Sequence, residues 1–304
     1  MPRSTPLIAA TLTANLLAAF PGHAADPNAC RELERRYEII KADITSVQLN
    51  LALFSATDKG CEPLVRRLID AGASILSRDR LGAMPLARAA RFGQLALVDL
   101  YLAQGAPIDA RSVAGNTALY TAAEHDRLAV VRRLLDKGAD PNLPGRTGVT
   151  PLGAAAFMGS TRIVDLLLGR GAEANVVDMT GKAPILYAAG QGFAPIVRRL
   201  LDAGIDVNAK YGNDLTALMW AAGYSEGAGA LDAEAVVNLL LDRGATIDAI
   251  DDRGRTPLMI AAEADHPNIV TLLLGRGADA TQKDKEGKTA RDLAASDAVR
   301  EKLR

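Results

Sequence analysis

Large rings are scarce in this chain of 304 residues: one Trp, six Tyr and five Phe make up 4% of it. A sequence with few aromatics but 27 glycines is either low-complexity linker or a regular structure in which glycine marks the turns. Charge of one sign is also missing. Lys and Arg total 35 against 36 Asp and Glu, and a net charge of −1 argues against a polyanion-binding protein. Past Ala24, two cysteines and two histidines, at 30, 61, 125 and 266, are too few and too far apart to show metal-ligand spacing. Beyond the N-terminus no apolar run approaches the roughly 20 residues of a spanning helix. What is plentiful is hydrophobic residue, 49% overall, which excludes a disordered chain.

The first residues read as an address. Met1-Pro2-Arg3 is weakly positive, Leu7 to Phe20 is an uncharged apolar run, and Pro21-Gly22-His23-Ala24-Ala25 follows. A charged start, an apolar stretch and a small-x-small site describe a secretory signal peptide, with cleavage expected after Ala24. The apolar run is too short to anchor the chain in a membrane. Cys30 follows Pro27-Asn28-Ala29, which is no lipoprotein box. Export in turn favours pairing of Cys30 with Cys61 over two separate thiols. Closing that loop would remove roughly 3–4 kcal/mol of unfolded-chain entropy.

The glycines keep time. Gly60, Gly93, Gly159 and Gly192 lie on one 33-residue grid, with Asp126 in the remaining slot. Gly72, Gly105, Gly138, Gly171 and Gly204 form a second grid, and Gly82, Gly115, Gly148 and Gly181 a third. After Gly204 the step stretches to Gly244 and then returns to 33 at Gly277. Such regularity predicts stacked units, and low complexity is excluded.

Each unit carries its own folding instructions. Thr150-Pro151-Leu152 and Thr256-Pro257-Leu258 place a hydroxyl at a helix N-cap and proline in the first turn. A short Ala-rich helix follows, glycine reverses the chain, and a second helix shows an apolar face through Ile163, Val164 and Leu166 to Leu168. Gly171-Ala172 ends that helix and Asn175 begins an extended turn. One such pair cannot bury its apolar face alone.

With G-x-T-P-L, paired alanines, V-V-x-x-L-L and G-A-D-x-N recurring, clearest at Gly138-Ala139-Asp140-Pro141-Asn142, the chain resembles the ankyrin repeat family. The resemblance implies an all-α solenoid of helix-turn-helix units with β-hairpin-like turns and terminal caps. Its expected organisation is a signal peptide at 1–24, a capping helix at 25–45 and repeats over 46–304. The units would be 46–78 (a cap), 79–111, 112–144, 145–177, 178–210, 211–250 with a seven-residue insertion, 251–283 and a closing cap at 284–304. One departure stands out. The histidine that follows T-P-L in the family is replaced by Ala87, Tyr120, Gly153, Leu186, Met219 and Met259, which puts the tie between adjacent units in doubt.

Three motifs imitate chemistry. Gly223-Tyr224-Ser225-Glu226-Gly227 spells the hydrolase nucleophile elbow, which needs a strained strand-to-helix turn. The repeat supplies no strand there, so a serine hydrolase at Ser225 is only a remote alternative. Gly169-Arg170-Gly171 and Gly275-Arg276-Gly277 match a relaxed dinucleotide fingerprint but follow a helix instead of a strand, and read as helix stops. The Arg pairs at 66–67, 132–133 and 198–199 predict an outer ladder in which Arg66, Asp99, Arg132, Asp165 and Arg198 alternate. No catalytic residue, cofactor or metal is expected.

The resemblance implies a protein partner held by turn tips and the concave face of the first helices. The positions expected there are Arg91, Phe92, His125, Val149, Phe157, Met158, Met179, Leu215 and Tyr224, with Trp220 expected in the core. Resemblance to periplasmic members of the family points to an exported, non-catalytic binder in the periplasm; a monomer is expected, with no nucleic acid bound, given the charge balance, and no membrane after signal cleavage. An accessory, inhibitor or immunity factor for a periplasmic enzyme, with peroxide defence one setting, is the alternative.

Overall fold

The computed structural model describes residues 26–145, 147–223 and 230–304. The signal-peptide expectation, Tyr224 and the Ser225 motif therefore lie outside the described residues. Helix α1 (Pro27–Ile40) comes first, and helix pairs follow: α2 (Ser46–Asp58) with α3 (Glu62–Asp70), α4 (Pro85–Phe92) with α5 (Leu95–Ala103), and α6 (Ala118–Glu124) with α7 (Leu128–Asp136). Next are α8 (Pro151–Phe157) with α9 (Thr161–Leu168), α10 (Pro184–Gly190) with α11 (Ala194–Asp202), and α12 (Ala217–Ala222) with α13 (Ala230–Asp242). The array closes with α14 (Pro257–Glu263) and α15 (Pro267–Gly275), then α16 (Ala290–Leu293) and α17 (Asp297–Lys302). Among the described residues there is no strand. The first members of the pairs stack on one another as an inner layer, and the second members as an outer layer.

Local chemistry explains each pair. Thr117, Thr150, Thr216 and Thr256 are extended, and their hydroxyls accept the N–H groups of Tyr120, Gly153, Met219 and Met259 at 3.1–3.3 Å. These bonds satisfy donors that a helix start leaves open. The reversal between the helices requires a left-handed residue. Gly93 takes φ 72° and Gly159 φ 74° there, and Asp126 and Asp265 occupy the equivalent slots at 53° and 59°. Asp tolerates this region better than most residues.

The core is one continuous layer. Ala89, Ala122, Ala155, Ala188, Ala221 and Ala261 of the inner helices are fully buried, and their small side chains let the helices approach closely. Val98, Val131, Val164, Val197, Val237 and Val270 of the outer helices are equally buried, each contributing about 1.5–3 kcal/mol relative to exposure.

The histidine slot is filled by packing: Leu186, Met219 and Met259 are all 1% exposed. The polar ties between pairs lie elsewhere. Asn142 Oδ1 accepts the N–H of Glu173 at 2.8 Å while its Nδ2 donates to the Gly171 carbonyl at 3.2 Å. Asn208 repeats the arrangement with Thr246 and Gly244, so the stack keeps its register across the longer unit. The fingers between pairs are linked as well. The N–H groups of Val113, Met179, Gly212, Asp252 and Lys285 donate to the carbonyls of Leu81, Thr147, Gly181, Asn213 and Arg253 in the preceding finger.

At the N-terminus, Cys30 and Cys61 form a disulfide with Cα atoms 5.4 Å apart. It joins α1 to the start of α3, where Arg67 also pairs with Glu38 and lies over the Tyr37 ring. The outer ion pairs differ from the expected ladder. Arg133 pairs with Asp99, and Arg199 with Asp165 at 2.8 Å, so the second arginine of each doublet is used. A further series joins Arg170 to Asp136, Arg243 to Asp202 and Arg276 to Asp242. Arg66 pairs within its own helix, with Glu62. The offset arises because stacked helices are staggered, bringing residue i beside i+34 instead of i+33. Gly171 and Gly277 take positive φ at the ends of outer helices, where they stop the helix.

Candidate protein-binding face

Two residue columns recur along the inner helices at the repeat spacing. One runs through Arg88, Thr121, Ala154, Tyr187, Trp220 and Ile260. The other, at the helix ends, contains Arg91-Phe92, Glu124-His125 and Phe157-Met158. A groove of about 580 Å³ opens between these columns and the fingers at Asp79–Ala83 and Ser112–Asn116. Arg91, His125 and Met158 line it together.

Further along the face the aromatics meet. Phe157 packs edge-on to Tyr187, ring centres 5.8 Å apart at 86°, yet keeps 40% of its surface exposed. Lys182 Nζ stands 5.7 Å from the centre of the Tyr187 ring and 4.9 Å from that of Trp220, a cation–π arrangement. Trp220 needs Gly190 beneath it: a Cβ there would come 3.1 Å from Cε3 of the indole. The indole is half-buried instead of fully in the core. Its N–H finds no hydrogen-bond partner among the described residues. Phe92 is covered by the guanidinium groups of Arg88 and Arg91 at 5.6 and 5.7 Å.

Polar contacts hold these rings in place. The Tyr187 hydroxyl donates to Asp178 Oδ2, and Asp178 Oδ1 accepts the N–H groups of Thr180 and Lys182 at 2.7 and 3.1 Å. Burial alone would push the Asp178 carboxyl up, but these donors outweigh it and hold it below the usual range. Burial and the same carboxylate raise the Tyr187 hydroxyl. His125 Nδ1–H donates to the Thr121 carbonyl at 2.9 Å. Burial lowers the pKa of its ring below 6.5, against opposing effects from that carbonyl and Glu124, so the imidazole is neutral at pH 7.

Of the other anticipated positions, Met179 is 81% exposed at a fingertip. Val149 and Leu215 are half-buried, and Val149 rests against Gly153 of its own inner helix. Tyr187 and the exposed Leu81 join the face without being among the positions expected from the sequence. The 33-residue step from 187 to 220 would have revealed the aromatic column. Among the described residues no group of three or more His, Cys, Asp or Glu could hold a metal ion. No helix among them is long and apolar enough to cross a membrane.

A stacked array with an open, ring-bearing inner face defines a solenoid interaction module. The model of the ankyrin repeat family, described as ankyrin repeats (3 copies), matches in overlapping stretches at 49–145, 86–178, 152–231, 185–284 and 228–301. The chain belongs to the ankyrin repeat family, whose members are general protein–protein interaction modules of typically non-catalytic fold. The crystal structure of the human ASB11 ankyrin repeat domain is similar, with a TM-score of 0.66 and 29% identity, covering 73% of this chain and 96% of that one. No curated protein matches the chain.

Proposed function

We propose that this chain is a non-catalytic binding protein of the cell envelope, exported through the segment 1–24, which holds a protein partner on its inner face. The observation that carries the reading is the exposure of Phe157 and Met158, at 40% and 47%, beside Tyr187 in a chain with few aromatics. Anchored rings and methionine at a rim of polar groups have the composition of an interface centre. The Cys30–Cys61 disulfide suits an oxidising compartment.

Binding and export are tested separately. Wild-type chain and the Phe157→Ala, Met158→Ala double variant are crosslinked in cells and recovered from the periplasmic extract. Loss of a specific partner in the variant supports the reading, and unchanged recovery overturns it. The mass of the recovered chain should correspond to a start at Ala25; a chain that retains Met1 refutes export by cleavage.

A further inference from the structure

The groove between α4, α6 and their fingers has a chemistry of its own. Its rim is aliphatic: Leu81 is 64% exposed, Val113 71% and Met158 47%. Three arginines line it, but they are not equivalent. Arg88 is neutralised, donating to Asp58 at 2.8 Å and to Asp79 at 3.2 Å. Arg80 and Arg91 are exposed, and among the described residues neither has an ion-pair partner. Arg91 is nonetheless held in place, its guanidinium laid on the Phe92 ring. An arginine ordered by an aromatic face retains its donors and loses little freedom on accepting an anion.

The opposite sign is also present, which limits what fits. Glu124 borders the same groove and lies 3.6 Å from His125 Nδ1. A string of carboxylates or phosphates would bring charge against Glu124 as well as toward the arginines. One anion between aliphatic neighbours avoids that repulsion.

We propose that this groove receives an extended peptide segment of the partner in which one carboxylate, flanked by aliphatic side chains, lies between Arg80 and Arg91 with its neighbours on Leu81, Val113 and Met158. The inference rests on the partner-binding reading above and names its chemistry. Arg80 and Arg91 supply charge-assisted hydrogen bonds, the aliphatic rim supplies burial, and Glu124 disfavours acidic tracts.

The probe is the blocked pentapeptide acetyl-Leu-Val-Glu-Val-Leu-amide, compared with its Gln counterpart by calorimetric titration and by the shift of the Met158 methyl resonance in the full chain. The Glu peptide should bind roughly tenfold more tightly than the Gln peptide, the scale of one charge-assisted hydrogen bond. Arg80→Gln and Arg91→Gln should each remove most of that preference, and Glu124→Gln should tighten binding. Both arginines are exposed, so the variants should melt as the wild type does. Equal binding of the two peptides, binding of neither, or tighter binding of a poly-glutamate or a single-stranded oligonucleotide overturns the proposal. Partner loss with Phe157→Ala, Met158→Ala but not with Arg80→Gln, Arg91→Gln leaves the broader reading standing and sinks this one.

Discussion

Arg199 reaches back along the outer face to Asp165, Nε to Oδ1 2.8 Å, while Arg198 beside it is exposed on the same helix. Both partners are half-exposed, so the pair contributes about 0–1 kcal/mol. Arg199→Ala should lower the melting temperature slightly at low ionic strength, and the difference should shrink in molar salt. Arg198→Ala should change neither. Equal effects from the two substitutions, measured by thermal melts at both salt concentrations, would reject the stagger as an energetic feature.

The inner helix α10 lacks the hydroxyl that its neighbours use. Ala183 occupies the N-cap at φ −99° and ψ 163° and makes no side-chain cap bond, whereas Thr216 in the next unit has φ −98° and ψ 165°. The backbone is already arranged for threonine. Ala183→Thr should stabilise by about 1 kcal/mol, read as a rise in the urea midpoint at unchanged slope.

Two glycines with left-handed backbones should answer differently to alanine. Gly181 has φ 79°, and a Cβ there would lie 2.7 Å from Gly212 Cα in the adjacent finger. Gly204 has φ 95°, with nothing within 4 Å of such an atom. Gly204→Ala should cost about 1 kcal/mol, the conformational penalty alone. Gly181→Ala adds a backbone clash and should cost roughly 2–3 kcal/mol. Denaturant titration of both variants measures the gap, and equal losses would contradict the close finger contact.

Replacing both Cys30 and Cys61 by Ala opens a loop whose ends are 31 residues apart. The chain-entropy treatment gives a loss of roughly 3–4 kcal/mol. Reduction of the wild-type protein should produce the same loss, and reductant should leave the double variant unaffected.

Acid should weaken the array through His125. Its folded pKa lies below 6.5 because burial disfavours the cation. The unfolded chain therefore takes up a proton first, and stability falls as pH drops below the unfolded value. Unfolding at pH 7.5 and at pH 5.5 should show this loss in the wild type. His125→Asn should reduce the difference between the two pH values; an unchanged difference would show that other groups carry it.

Most of the fold was readable because its rules are local. Glycine at a left-handed turn, threonine at a cap and alanine at a close contact are each dictated by backbone sterics and volume, so they recur at the repeat period. The ion pairs were read one residue off because a period counts positions and does not specify the stagger between stacked helices. Trp220, one turn before the face residues on its helix, reads as core in the sequence. Its half-exposed position depends on Gly190 below and Lys182 above, neither of which is adjacent to it in sequence. Of the candidate face, Arg91, His125 and Met158 were found by aligning helix ends, whereas Tyr187 required the parallel column one turn earlier.

The disulfide gives the array a direction. In a stack whose units touch only their neighbours, unfolding propagates from an end. Here one end is covalently closed onto α3, while the other finishes in the four-residue helix α16 and the short α17. The short α16 and α17 should therefore open more readily than the pairs beside the disulfide, and the groove beside α4 should be among the last surfaces lost. Hydrogen exchange would show this as protection that declines from the N-terminal pairs to the C-terminal ones. With the disulfide closed, the chain would thus keep its arginine-lined groove assembled while the far pairs breathe.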